Sequence, residues 1–115
     1  MHELSIATLV LDAVNVEADL RPGMRVSRIG MRLGDLAGVD ADALTFCFEA
    51  LVKETELASA ALEIERRPQR NKCPRCNEVF TVVNFESACP ACGETATQFV
   101  SGDELDLAFV EMEER

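Results

Sequence analysis

The first three residues, Met1-His2-Glu3, carry the only histidine of the 115-residue chain. The Met1 amine, the His2 amide nitrogen and the His2 imidazole can close adjoining chelate rings around one metal ion, and Glu3 can add a carboxylate. Planar, nitrogen-rich ligand sets suit Ni(II) or Cu(II) better than Zn(II). Because a bulky second residue disfavours removal of the initiator methionine, we expect Met1 to be retained. The alternative is that His2 is a solvated residue at an idle chain end.

Two Cys-x-x-Cys pairs form a second group of potential ligands, Cys73 with Cys76 and Cys89 with Cys92. Pairs separated by twelve residues are typical of zinc sites. Two facing turns predict a tetrahedral set of four thiolates, which suits Zn(II) and leaves no open position for a substrate. The site is therefore predicted to be structural, with iron in a rubredoxin-like site as an alternative. This use of cysteine also indicates a reducing cytoplasm rather than disulfide bonds.

The charge balance narrows the classes of function. A formal net charge of -10 argues against a general nucleic-acid binder and against binding to an anionic membrane surface. No apolar run approaches the roughly 20 residues of a membrane span, and we expect no signal peptide. With one histidine and no glycine-rich phosphate loop, we do not expect an enzyme.

A basic segment next to the first cysteine pair favours a second hypothesis. Residues 66–75 hold five of the eleven Lys and Arg residues. They would form the contact surface of a zinc-ribbon interaction adaptor that carries no transition-metal cargo. In that case His2 would have no role, and an oligonucleotide or another acidic partner would bind with strong salt dependence.

Hydrophobic periodicity predicts two helices, at residues 4–19 and 41–54, with Asp40 as the N-cap of the second. On the first helix the predicted core row is Leu4, Ala7, Leu11 and Val14, widened by Ile6, Val10 and Ala13. Cys47 lies on the apolar face of the second helix and is expected to be a buried small hydrophobe. Strands are predicted at 25–33, 62–65 and 105–112.

These elements predict an α+β fold, a three-stranded mixed sheet with two helices on it. A small zinc-binding module at 70–98, with short strands at 79–83 and 97–100, is inserted before the last strand. The predicted domains are an α/β domain at 1–69 with 99–115, which carries the amino-terminal ligands for Ni(II) or Cu(II), and a zinc-binding domain at 70–98.

The combination resembles a known family, HypA, the nickel-delivering accessory proteins of nickel–iron hydrogenase maturation. Met1-His2-Glu3 opens an amphipathic helix, the two cysteine pairs follow in the expected order, and a final strand closes the chain. The segment Phe46-Cys47-Phe48 is also similar to the family. The resemblance covers the whole chain.

The resemblance implies that His2 and Glu3 belong to the family's nickel site, in some members with the Met1 amine. Asp40 would correspond to an additional carboxylate ligand, although its position as a helix cap also explains it. The four cysteines would hold structural Zn(II), with Ni(II) as the cargo. The implied partners are a GTPase accessory protein, the hydrogenase large subunit and urease maturation proteins, with the chain a monomer or weak dimer. Some members carry a histidine in the zinc module, and this chain has none.

Overall fold

The computed structural model describes residues 2–115, which form two helices and six strands. In chain order they are α1 (Glu3–Asp19), β1 (Met24–Gly34), α2 (Ala41–Val52), β2 (Ala61–Arg67), β3 (Arg70–Lys72), β4 (Val79–Thr81), β5 (Gln98–Ser101) and β6 (Leu105–Glu114). One mixed sheet has the strand order β2-β1-β6, and a small antiparallel sheet has the order β4-β3-β5. The predicted fold class is confirmed. The short strand β3 was not predicted.

The chain divides into two compact units. The first, which we call the helical unit, consists of residues 2–32, 38–65 and 106–115. The second, which we call the cysteine unit, consists of residues 33–37 and 66–105. The assignment of nickel binding to 1–69 with 99–115 and of zinc binding to 70–98 concerns function and stays a prediction. Neither helix in the described part of the chain is long and apolar enough to cross a membrane.

Helix α1 packs against α2 and buries a narrower face than the sequence predicted. Its buried residues are Ile6, Ala7, Val10 and Val14. Leu4 is 52% exposed and Ala13 is exposed, so their assignment to the core was wrong. Apolar residues surround most of this helix, and periodicity alone cannot show which of them a neighbouring element covers.

Helix α2 buries one row at a spacing of four residues, Leu44, Phe48 and Val52. It ends two residues earlier than predicted, because the C-cap Lys53 leaves the helical conformation with φ -54° and ψ 132°, and Glu54 follows with φ 66°. The two residues form a turn in which the Thr55 N–H donates to the Val52 carbonyl at 2.9 Å. Cys47 is only partly buried, so the expectation of a buried residue was wrong. It lies beside the buried row rather than in it.

Ion pairs show how β1 lies against its neighbours in the helical unit. Strand β1 is connected to β6 by the ion pairs Arg25–Glu113, Arg28–Glu111 and Arg32–Asp106. The residue numbers on β6 decrease as those on β1 increase, so the two strands are antiparallel. Arg28 also pairs with Glu63 on β2, and this hydrogen bond raises the pKa of Arg28 and lowers that of Glu63. The Arg28 guanidinium lies 5.1 Å from the centroid of the Phe109 ring.

Two glycines of β1 are required by close packing. A Cβ atom at Gly30 would lie 2.1 Å from Cε1 of Phe109, a side chain that can move. A Cβ at Gly34 would lie 2.1 Å from the carbonyl oxygen of Gly102, which is backbone. The strand therefore tolerates no side chain at Gly34 unless the main chain shifts.

We predict that Gly34→Ala lowers the free energy of unfolding by about 3 kcal/mol, at the upper end of overpacking effects, because backbone must move. Gly30→Ala should cost less, since the Phe109 ring can rotate away. Gly23→Ala is the control, because nothing lies within 4 Å of its Cβ position. Urea denaturation of the three variants measures the differences. Equal stabilities of the Gly34 and Gly23 variants would contradict the close approach.

Candidate metal centre

Four cysteine sulfurs meet at one point of the cysteine unit. The Sγ atoms of Cys73, Cys76, Cys89 and Cys92 all lie within 4.8 Å of one another. The Cys73–Cys92 distance is 3.5 Å and the Cys76–Cys89 distance is 3.6 Å. A disulfide requires about 2.05 Å, whereas sulfurs placed tetrahedrally at about 2.3 Å from a metal lie about 3.8 Å apart. The sulfurs are therefore spaced as ligands of one ion.

Each cysteine pair is held in the same tight turn. In the first turn the Cys73 N–H donates to the Glu78 carbonyl at 2.8 Å, and the Asn77 N–H donates to the Cys73 carbonyl at 2.8 Å. The second turn, sixteen residues later, repeats both bonds at 2.9 and 2.8 Å. Asn77 and Gly93 occupy the same position in the two turns and both have positive φ, 64° and 80°. Asn and Gly are the residues that adopt this conformation most readily.

Burial differs within each pair. Cys73 and Cys89 are buried with Phe80 in a small cluster against which Val82 packs, whereas Cys76 and Cys92 are exposed. The sulfurs of the buried Cys73 and Cys89 thus occupy positions in the small core that apolar side chains would otherwise fill. The sulfurs of the exposed Cys76 and Cys92 complete the set of four ligands from the solvent side.

The thiols influence each other's ionisation. Burial raises the pKa of Cys89, but backbone N–H groups of Cys92 and Ala91 and the neighbouring thiols outweigh this effect and lower it to about 7. For Cys76, the Glu78 backbone N–H lowers the pKa, but desolvation and hydrogen bonds to the other cysteines raise it to about 12. One thiolate is thus favoured at the expense of another. A cation is needed to keep all four ionised, and the residues fit a bound metal.

A buried asparagine next to the cluster was missed in the sequence. Asn71 is 4% exposed, and its Nδ2 donates to Thr97 Oγ1 at 3.0 Å while its Oδ1 accepts from Gln69 Nε2 at 3.3 Å. Thr97 Oγ1 in turn donates to the Ser87 carbonyl. These bonds join the strand that precedes Cys73 to the segments before and after the second cysteine pair. The three-residue strand gave no periodic signal that could have revealed this role.

The amino-terminal candidates lie in the helical unit. His2 is the exposed N-cap of α1, with φ -73° and ψ 144°, and its carbonyl accepts from the Ile6 N–H at 3.1 Å. The Glu3 Oε2 accepts from the backbone N–H of Asp40 at 3.4 Å. Met1 lies outside the described residues. The structure therefore brings Glu3 to the N-terminus of α2.

Asp40 caps α2 as predicted. Its Oδ1 accepts from the backbone N–H groups of Asp42 at 2.8 Å and Ala43 at 3.0 Å. This geometry satisfies two of the four N–H groups that a helix leaves without intrahelical partners. The role of Asp40 as a metal ligand stays a prediction.

Two helices on a mixed sheet, together with a cluster of four thiols, define a metal-binding α+β protein. A family model described as "Hydrogenase/urease nickel incorporation, metallochaperone, hypA" matches residues 1–112. The chain belongs to this HypA family. The resemblance seen in the sequence is confirmed.

Named relatives agree with this assignment. The hydrogenase maturation factor HypA of Geobacter metallireducens is 42% identical over 113 residues, which is 98% of this chain and 100% of the relative. That of Pelodictyon phaeoclathratiforme is 38% identical over 114 residues, 99% of this chain and 97% of the relative.

Solved structures share the fold. The solution structure of the Ni metallochaperone HypA from Helicobacter pylori matches with a TM-score of 0.64 and 21% identity, covering 100% of both chains. A second solution structure, of a HypA protein, has a TM-score of 0.69 and 22% identity, covering 98% of this chain and 97% of the other. At these identities the likeness concerns the fold.

We predict that Cys73→Ser combined with Cys89→Ser abolishes stoichiometric metal binding, measured by elemental analysis. Amide hydrogen exchange should then lose protection in residues 70–101, because the remaining core is small, while α1 and α2 keep theirs. The control is Cys47→Ser, outside the cluster. Retention of one metal ion per chain by the double variant would rule out the four-sulfur site.

Proposed function

We propose that the chain is a nickel metallochaperone for nickel–iron hydrogenase maturation. It binds Ni(II) as cargo through His2 and Glu3, with the Met1 amine, and holds Zn(II) as a structural ion at Cys73, Cys76, Cys89 and Cys92. The observation that carries the proposal is the family match over residues 1–112, which spans all these positions. The geometry of each site supports its part.

The local geometry at the start of α1 supports nickel binding. An N-cap residue contributes its carbonyl to the helix, but its own N–H has no intrahelical partner. The His2 amide nitrogen can therefore bind a metal without the loss of a helical hydrogen bond. The imidazole is exposed, so an approaching protein can reach the ion.

Electrostatics explain why carboxylates are needed there. The Glu3–Asp40 contact brings the N-terminus of α2 close to that of α1, and helix N-termini carry partial positive charge. This charge disfavours a cation. The carboxylates of Glu3, Asp40 and Asp42 offset it and make the site acceptable to Ni(II).

The cysteine cluster supports a resident ion instead of a cargo. Zn(II) accepts tetrahedral thiolate ligands and has no redox chemistry, and four protein ligands leave no open position. Zinc binding in small modules contributes roughly 10–16 kcal/mol, enough to fold a segment with a small apolar core. Nickel at an exposed terminus can be passed on, whereas zinc at four sulfurs stays.

The proposed delivery of nickel depends on this difference between an exposed nickel site and a closed zinc site. A GTPase accessory protein would act with the chain in the cytoplasm, and the hydrogenase large subunit would receive the nickel. Urease maturation proteins are a second destination. Because the proposed site is at the surface, transfer needs only that the receiving ligands replace His2 and Glu3 one after another.

We predict that zinc-loaded protein with its authentic N-terminus binds one Ni(II), measured by isothermal titration calorimetry. His2→Ala should abolish this binding because it removes the imidazole. Two or three residues added before Met1 should weaken it by at least tenfold, because they convert the amine into an amide. The same residues added after Arg115 are the control and should have no effect.

Zinc content and circular dichroism show that the variants are folded. Equal nickel affinity in all four proteins would refute the terminal site. No nickel binding to the authentic protein would refute autonomous nickel binding and favour the adaptor function.

We predict that Asp40→Asn separates the two roles of Asp40. Asparagine caps a helix about as well as aspartate, so stability should not change, whereas Asp40→Ala should cost about 1 kcal/mol. Nickel affinity should fall in Asp40→Asn only if the carboxylate contributes to the site. We expect a fall of a few fold through the lost negative charge. An unchanged affinity would limit Asp40 to capping.

A further inference from the structure

An exposed apolar stripe runs along α1. It consists of Leu9, Ala13, Val16 and the C-cap residue Leu20, and we call it the α1 stripe. Leu9 is 54% exposed, Val16 is 61% exposed and Leu20 is 70% exposed, and Ala13 is also exposed. At about 100° per residue the four side chains lie within about 60° of one another around the helix axis. They form one continuous surface.

Neither folding nor the metal sites explain the α1 stripe. The core of the helical unit uses a different face of α1, with Ile6, Ala7, Val10 and Val14. An exposed helix face normally carries polar residues. The stripe instead has successive spacings of four, three and four residues, which is the apolar seam of helices that pair with another helix. Contiguous exposed apolar surface of this kind marks an interaction site.

The charged residues beside the α1 stripe indicate which kind of partner could bind it. Asp12 and Asp19 flank it on one side and Glu17 on the other, and all three are exposed. Helix α1 contains no Lys or Arg. Two α1 helices facing each other would therefore place carboxylates against carboxylates, which disfavours pairing with a second copy of the chain.

We propose that the α1 stripe is a docking surface for an amphipathic helix of a partner protein, with an apolar seam flanked by Lys and Arg. The apolar seam would cover Leu9, Ala13, Val16 and Leu20, and the cations would face Asp12, Glu17 and Asp19. The proposal is independent of nickel binding.

The test uses the zinc-loaded full chain and a synthetic peptide of about 18 residues, with leucine at the seam positions and lysine beside them. Binding is measured by fluorescence anisotropy. Leu9→Gln combined with Val16→Gln should raise the dissociation constant at least tenfold, because about 1.4 kcal/mol of lost contact gives this factor. Asp12→Asn combined with Asp19→Asn should weaken binding by a few fold and reduce its salt dependence.

The matched control is Leu4→Gln, on the same helix and 52% exposed but outside the stripe, which should leave binding unchanged. A scrambled peptide of equal composition tests whether charge alone is sufficient. Equal binding of the stripe variant and the Leu4 variant, equal binding of the scrambled peptide, or no binding to the unmodified chain would each overturn the proposal. Concentration-dependent dimerisation that Leu9→Gln with Val16→Gln abolishes would also overturn it, in favour of a second copy.

Discussion

Four thiol groups within 4.8 Å of one another cannot all be ionised unless a cation lies among them. The cysteine unit depends on this constraint, because Phe80 and Val82 are the only apolar side chains of its small cluster apart from the cysteines themselves. Three features surround the sulfurs: the two Cys-x-x-Cys turns, the hydrogen bonds of Asn71 and the short β4-β3-β5 sheet. A metal ion takes the place that a larger apolar core has in the helical unit.

The two proposed metal sites differ in the ways that retention and release require. The sulfur ligands come from two separate turns, so that an ion bound to them is held by both parts of the unit at once. The amino-terminal ligands are consecutive residues at one helix end, and His2 is exposed. We propose that loss of the ion from the four-sulfur site would disrupt the local fold, whereas loss of nickel from the terminal site would leave α1 intact. Under this proposal, the two metals differ in the amount of structure that depends on each.

Local chemistry was sufficient to predict part of the molecule. The cysteine turns and the Asp40 cap follow from residues within six positions of one another, so the sequence revealed them directly. Strand β3 was missed because Arg70-Asn71-Lys72 has no apolar residue, and only its pairing with β4 and β5 makes it a strand. The Glu3–Asp40 contact joins residues 37 positions apart and depends on how α1 packs on α2. The exposed side of α1 could not be predicted either, since its apolar residues occupy more than one face.

The order β2-β1-β6 leaves β2 and β6 as the outer strands of the sheet. Both carry rows of exposed charged residues, including Glu63 and Glu65 on β2 and Glu111, Glu113 and Glu114 on β6. Unpaired strand edges invite another chain to extend the sheet, and acidic side chains along an edge oppose this by repulsion and by the cost of their dehydration. Charged residues on both outer strands therefore disfavour edge-to-edge pairing of this sheet with another chain.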